Sequence, residues 1–199
     1  MAGKAQSVVF DQASRPFALY LHWPFCRAKC PYCDFNSHVS NDVDSKIFGD
    51  ALCTEMTHMA SLMPSRPPLS SLFFGGGTPS LMPPILVERL IRHAEDLFGF
   101  TGDIEITAEA NPTSVEADAM LGFQKAGVNR VSMGVQSLDD ASLKFLGREH
   151  SAADALHALD KVKKAFDRVS IDLIYALPDQ SPKAWQDMLG QALSLGLGH

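Results

Sequence analysis

No window of this 199-residue chain is long and apolar enough to span a bilayer; the most apolar windows are short and broken by charge, glycine or proline. Basic charge is in deficit, with 17 Lys and Arg against 23 Asp and Glu and a formal net charge of −6. That balance removes the electrostatic case for a nucleic-acid partner. The segment from Met1 to Ser14 has no apolar core of the kind a secretory signal carries, so a cytoplasmic protein is expected. Cysteine is scarce, four residues in all, and in a reducing compartment thiols that cluster serve metals more readily than disulfides. Internal repeats and low-complexity segments are absent as well.

What is present is ordinary in bulk and specific in detail. A composition of 46% hydrophobic and 20% charged residues suits a globular domain, and the length suits one domain with a sizeable core. Short β-rich runs at 17–22, 72–74, 104–108, 130–135 and 169–174 alternate with helical windows at 46–62, 85–98, 115–126, 141–146, 152–166 and 183–195. This alternation predicts β/α units and a parallel sheet. Thr113 with Glu116 reads as a capping box, Gly127 and Gly147 as helix stops, and Ser181-Pro182 as a helix start. A rigid linker is expected from Pro64 to Pro68. The pattern divides into an N-terminal extension over 1–16 and a core over 17–199. The final run Leu195-Gly196-Leu197-Gly198-His199 reads as a helix end turning toward a further strand. Five units leave a long unpaired sheet edge, so a chain truncated after about five β/α units is the expectation.

Three of the four cysteines, Cys26, Cys30 and Cys33, fall within eight residues as C-x3-C-x2-C, just after the first strand, where parallel α/β folds present ligand loops. Pro24 and Pro31 argue against a regular helix there, so a wrapped loop is expected. Thiolate ligation of an iron–sulfur cluster is one use of this spacing. Structural zinc is the other, with His22, His38 or Cys53 as a fourth ligand. On a helical wheel Ile47, Phe48, Ala51, Leu52, Met56 and Met59 share one half, and Cys53 falls opposite with Lys46, Asp50 and Thr57. That places Cys53 on the polar face as a bystander. Three thiolates on a [4Fe–4S] cluster leave one iron open, and S-adenosylmethionine (SAM) offers the amine and carboxylate that such an iron takes.

Six segments in order carry a resemblance: Tyr20-Leu21-His22-Trp23-Pro24-Phe25-Cys26, Cys30-Pro31-Tyr32-Cys33-Asp34-Phe35-Asn36-Ser37-His38, Gly75-Gly76-Gly77-Thr78-Pro79-Ser80, Glu109-Ala110-Asn111-Pro112, the run from Gly127 to Ser137, and the run from Asp172 to Gln180. Together they resemble the radical SAM superfamily, and within it the group that holds oxygen-independent coproporphyrinogen III oxidase and the HemW-type heme chaperones. The resemblance implies a partial (β/α)6 TIM-like barrel, a [4Fe–4S] cluster on Cys26, Cys30 and Cys33, and reductive cleavage of SAM to a 5′-deoxyadenosyl radical with electrons from a donor protein. It also implies SAM contacts at Gly76, Gly77 and Thr78, at Glu109, Gln136, Arg148 and Asp172, and at Tyr20.

Bland readings stand beside these. The glycine run also suits a tight strand-to-helix turn with Thr78 capping and Pro79 opening it. Arg148 alone would be a surface arginine, and Asp172, inside an apolar run, could pair with Arg168 or Arg130. His22, His38, His150 and His157 receive no catalytic role. The oxidases of the resembled group carry a further cysteine two residues after the third; Phe35 stands there in this chain. This favours the chaperone, delivering heme to apoproteins, over coproporphyrinogen III oxidation. In the resembled group the heme-binding histidine motif belongs to the C-terminal part, so the resemblance carries heme to no residue of this chain. A fragment without function of its own is the third reading.

Overall fold

The computed structural model describes residues 16–199; the expected extension over 1–16 falls outside it but for its last residue. In chain order the elements are β1 (Ala18–Trp23), the short strands β2 (Phe25–Cys26) and β3 (His38–Val39), α1 (Ser45–Leu62), β4 (Leu69–Gly76), a 3-10 turn (Pro79–Leu81), α2 (Pro84–Phe98), β5 (Phe100–Ala110), α3 (Ser114–Ala126), β6 (Arg130–Gln136), α4 (Asp140–Phe145), α5 (Ala152–Ala165), β7 (Arg168–Leu173) and α6 (Pro182–Ser194). The α/β alternation and every expected strand and helix are there.

The five long strands form one parallel sheet in the order β1-β4-β5-β6-β7. That order never reverses. Right-handed crossovers that always step the same way lay their helices on one face of the sheet. The result is the wall of a barrel rather than a doubly wound sheet. The segment after α6 reaches the free edge of β7, where the Ile171 N–H donates to the His199 carbonyl at 3.3 Å.

Strand alternation sorts the side chains onto two unlike faces. Toward the helices point Leu72, Phe74, Ile106, Ala108, Val131 and Met133, each 4% exposed or less. They pack in one core with Val87 and Leu90 of α2, Met120 and Phe123 of α3, and Leu159 and Val162 of α5. On β5, β6 and β7 the alternate residues are polar: Glu105, Thr107 and Glu109 on β5, Arg130 and Ser132 on β6, Ser170 and Asp172 on β7. Arg130 and Arg168 both meet Glu105, at 3.7 and 3.6 Å. Arg130 also donates to Ser170 Oγ at 3.1 Å, and Ser132 donates to Asp172 at 3.3 Å. The arginines proposed as partners of Asp172 therefore serve Glu105 instead, and the Asp172 carboxylate is left to face the cavity.

Two sequence expectations fail here for identifiable reasons. Cys53 is buried, on the stripe Gly49-Cys53-Met56-Ala60 that α1 turns inward, whereas Ile47 and Met59 are 66% and 51% exposed. The wheel weighted large apolar side chains. The helix instead docks through a small residue: a Cβ on Gly49 would lie 2.4 Å from Leu86 Cδ1 of α2, so close approach decides the face. The Thr113–Glu116 capping box is only half formed. Thr113 Oγ1 accepts the Glu116 N–H at 3.3 Å, but the Thr113 N–H is already given to the Asn111 carbonyl at 2.9 Å. The Glu116 carboxylate therefore turns inward. Gly127 closes the same helix in the left-handed conformation, with φ of 112°, and Ser181 caps α6 by accepting the Ala184 N–H at 3.1 Å.

The corrected face of α1 is testable with one residue type. Met56→Ala, at a site 4% exposed, is expected to lower unfolding free energy by about 2–5 kcal/mol in urea titration. Met59→Ala should change it by less than about 0.5 kcal/mol. Equal losses at both sites would restore the wheel.

Candidate functional site

The C-terminal ends of the sheet strands open onto a cavity of about 360 Å³, within the range of ligand sites. The cysteine loop roofs it. Its base is sewn to the sheet by backbone hydrogen bonds: Gly77 N–H to Trp23 O at 2.7 Å, Thr78 N–H to Phe25 O at 2.9 Å, His38 N–H to Pro24 O at 2.7 Å and Ser40 N–H to Cys26 O at 3.1 Å. Beneath it Trp23, Phe25 and Phe48 pack edge-to-face, with centroids 5.0–5.4 Å apart, a favourable aromatic arrangement. Lys29 Nζ donates to the Phe35 and Ser37 carbonyls, both at 3.3 Å, tying the two limbs of the loop together.

Gly76 and Gly77 turn sharply under this roof. Gly76 has φ of 119°, and a Cβ on Gly77 would lie 2.7 Å from Phe25 O and 2.9 Å from Cys26 Sγ. The glycine run is thus needed for close approach. Pro79 does open a helical turn, but Thr78 makes no side-chain cap bond and lines the cavity instead.

Cys26, Cys30 and Cys33 all line this cavity, and with them Gly76, Gly77, Thr78, Glu109, Gln136, Arg148 and Asp172. Tyr20 does not. It lies lower on the same strand face, its ring on Phe73 and its hydroxyl 3.1 Å from His22 Nδ1. Lys29, Tyr32, Asn111, Ser132 and Ile174 also line the wall. Sequence reasoning had left these unassigned. Asn111, two residues past Glu109, and Ser132, level with Asp172 on the neighbouring strand, could have been found from strand parity. Of the other thiols and imidazoles, Cys53 faces Arg89 and His93 in a groove between α1 and α2. His150 is buried, and its ring Nε2 lies 3.2 Å from the Val135 carbonyl; burial, with Arg148 beside it, lowers its pKa and keeps it neutral. His22 lies 2.9 Å from the Asn36 carbonyl, while His38 and His157 are exposed.

Gln136 is the strained member of the site. It occupies the left-handed region at φ 67°, where a non-glycine residue is uncommon and carries a conformational cost. A register irregularity between Met133 and Gln136 accompanies it. Two carboxylates face the cavity from adjoining parts of the wall. Burial pushes the Glu109 carboxyl up; a Gly76 N–H at 3.3 Å opposes this and the Asp172 charge adds to it. Burial likewise pushes Asp172 up, against the pull of Ser132 and Arg130. Burial pushes the Tyr32 hydroxyl up to about 12; Arg148 opposes and Cys30 reinforces.

The donor set discriminates between metal centres. Among the described residues no three His, Cys, Asp or Glu side chains converge on a single-ion position. A zinc ion needs every sulfur about 2.3 Å from one point. A four-iron cluster takes each thiolate on a separate iron. Three thiols lining one cavity without meeting fit the second arrangement, in which three thiolates would leave one iron without a protein ligand.

Comparison with known proteins identifies the family and the fold. The family profile described as the Radical SAM superfamily matches residues 20–192. The chain is 42% identical over 184 residues to mouse "Radical S-adenosyl methionine domain-containing protein 1, mitochondrial", covering 92% of this chain and 41% of that protein. It is 39% identical over 186 residues to the heme chaperone HemW of Escherichia coli, covering 92% and 49%. Among solved structures, the E. coli coproporphyrinogen III oxidase HemN, described as a radical SAM enzyme, superposes with a TM-score of 0.79 at 33% identity over 92% of this chain and 42% of that one. The chain thus spans less than half the length of these relatives.

Two substitutions test whether the wall is built for a ligand at the expense of stability. Gln136→Gly should raise unfolding free energy by about 1 kcal/mol through release of the left-handed strain; a loss of stability would show that the conformation is unstrained. Glu109→Gln should stabilise the metal-free protein at neutral pH. With the folded pKa raised, the wild type loses stability as pH climbs from the ordinary carboxylate value through the elevated one. The gain in Glu109→Gln is therefore full above that interval and absent below it, as urea titrations across pH would read. A gain that grows toward acid pH would contradict the assignment.

Proposed function

The chain belongs to the radical SAM superfamily, and from that premise we propose that it holds a [4Fe–4S] cluster on Cys26, Cys30 and Cys33, binds SAM in the adjoining cavity, and serves heme delivery rather than porphyrin oxidation. The observation that carries the cofactor reading is the convergence of three thiols and seven further motif residues on one cavity wall. The chemistry supplied by the bound pair is one-electron reductive cleavage of SAM; the protein contributes binding and orientation. Glu109 and Asp172 are acceptors for an amine or for hydroxyls, and the Arg148 guanidinium suits a carboxylate. The backbone of Gly76 and Gly77 allows a ligand to lie close, and the Gln136 amide can both donate and accept. Tyr20 acts on this site from below, through His22. A separate electron donor protein supplies the reducing equivalent. The setting proposed is the cytoplasm; among the described residues no helix is long and apolar enough to cross a membrane.

Phe35 supports the chaperone reading. It lines the mouth of the cavity and is 61% exposed, at the position where the oxidases of this group carry a further cysteine. The likeness to proteins named heme chaperone HemW, at 38% and 39% identity, points the same way. In this reading heme and a heme-accepting apoprotein are the partners. The likeness to HemN favours a second reading, oxidation of coproporphyrinogen III, by fold and by 33% identity.

Anaerobic reconstitution tests the cofactor reading. The protein is expected to take up a single [4Fe–4S] cluster, measured as iron, sulfide and visible absorbance. Changing Cys26, Cys30 and Cys33 together to Ala should abolish it, and Cys53→Ala should leave it intact. A cluster that survives the triple change sinks the assignment. Supplying coproporphyrinogen III, SAM and a reductant to the full-length protein separates the two functions: formation of protoporphyrinogen would overturn the chaperone reading, and stable heme binding without turnover would uphold it.

A further inference from the structure

Arg148 enters the site from the α4–α5 connection, and its guanidinium is held on two sides. Nη1 donates to Cys30 Sγ and to the Tyr32 hydroxyl, both at 3.4 Å. Nη2 donates to Asn111 Oδ1 at 2.7 Å and to the Gly134 carbonyl at 2.9 Å. Behind Asn111 lies Glu116, 5% exposed and without a cationic partner within ion-pair distance among the described residues. A buried carboxylate in that state is expensive unless hydrogen bonds satisfy it. Three donors reach it: the Asn111 backbone N–H at 2.7 Å and the Ser80 hydroxyl on one oxygen, and Asn111 Nδ2 at 3.4 Å on the other.

The chemistry of this chain is directional. An ionised carboxylate only accepts. It therefore draws the NH2 end of the Asn111 amide inward and leaves the oxygen end facing Arg148. A neutral side chain of the same shape would carry no such instruction. The cap of α3 does not need this carboxylate either, since Thr113 performs that task and its own N–H is already bonded.

We propose that Glu116 is a positioning residue for the metal centre: through Asn111 it fixes Arg148 so that a permanent positive charge and an N–H are delivered to the Cys30 sulfur. The inference rests on the cluster reading above. Hydrogen bonds and charge at a ligating sulfur set the reduction potential of an iron–sulfur cluster, and the residues behind the ligands tune it. A cation held there favours the reduced, more negative state and raises the potential. The residue before Arg148 approaches the same loop. The loop and the end of α4 touch where a Cβ on Gly147, at φ 67°, would lie 2.7 Å from the Pro31 ring.

The test is Glu116→Gln in the full chain, in three measurements. A Gln amide can donate as well as accept, so Asn111 is free to turn over and present its NH2 group to Arg148. After reconstitution the variant should hold wild-type iron and sulfide, with a midpoint potential shifted to more negative values. Asn111→Ala, which keeps Glu116, should give a shift of the same sign. In an Arg148→Lys background the Glu116→Gln shift should vanish, because the two act as one unit. An unchanged potential with an intact cluster, or an equal shift in the Arg148→Lys background, overturns the proposal. A crystal structure of metal-free Glu116→Gln supplies a readout independent of the cluster. Arg148 is expected beyond hydrogen-bonding distance of Cys30 Sγ; Arg148 still bonded to that sulfur overturns the proposal. Failure of the wild type to take up a cluster strikes the cofactor reading instead, and leaves the crystallographic comparison to decide the positioning claim.

Discussion

The site depends on a single close approach, the passage of the Gly76-Gly77 backbone beneath the cysteine loop. A side chain on Gly77 would meet the Phe25 carbonyl and the Cys26 sulfur at less than 3 Å. Because none is there, the end of β4 can donate N–H groups to the Trp23 and Phe25 carbonyls and hold the loop at its root. That anchoring puts the thiols over the strand ends rather than out in solvent. The aromatic trio of Trp23, Phe25 and Phe48 then supports the loop from below.

The sheet makes the approach possible and gives it chemical meaning. Parallel strands covered by helices on both faces are apolar throughout. Here the helix-facing set is apolar, while on β5, β6 and β7 the opposite set is polar. The other set runs from the Glu105–Arg130–Arg168 ion pairs at one end to Glu109, Ser132 and Asp172 at the cavity. A polar inner face laid against a thiol-bearing roof suits a charged, amphipathic ligand. Burial raises the Glu109 and Asp172 carboxyl groups on this wall, and the backbone at Gln136 is strained beside them.

Much of this was legible in the residues, because periodicity and spacing are local. The β/α order, the loop character of the cysteine segment and the caps at Gly127 and Ser181 follow from short-range rules, and the structure bears them out. What escaped depends on contacts between distant parts of the chain. Cys53 was misplaced because a wheel ranks side chains by size, while Leu86 selects the face of α1 by fitting over Gly49. Glu116 read as half of a capping box because nothing local shows that Ser80, 36 residues away, reaches the carboxylate. Arg148 looked like a surface arginine by composition, and only the resemblance raised it; its contact with Cys30 spans 118 residues of sequence. Asn111 lay unassigned between two residues that were discussed.

The central claim is that the three-cysteine loop presents an iron with an open position to a ligand in the polar cavity. Its most direct test is electron paramagnetic resonance of the reduced, reconstituted protein with and without SAM. The account predicts the spectrum of a [4Fe–4S] cluster whose signal changes when SAM is added, because SAM binds the open iron. A cluster signal that stays the same at saturating SAM would contradict it.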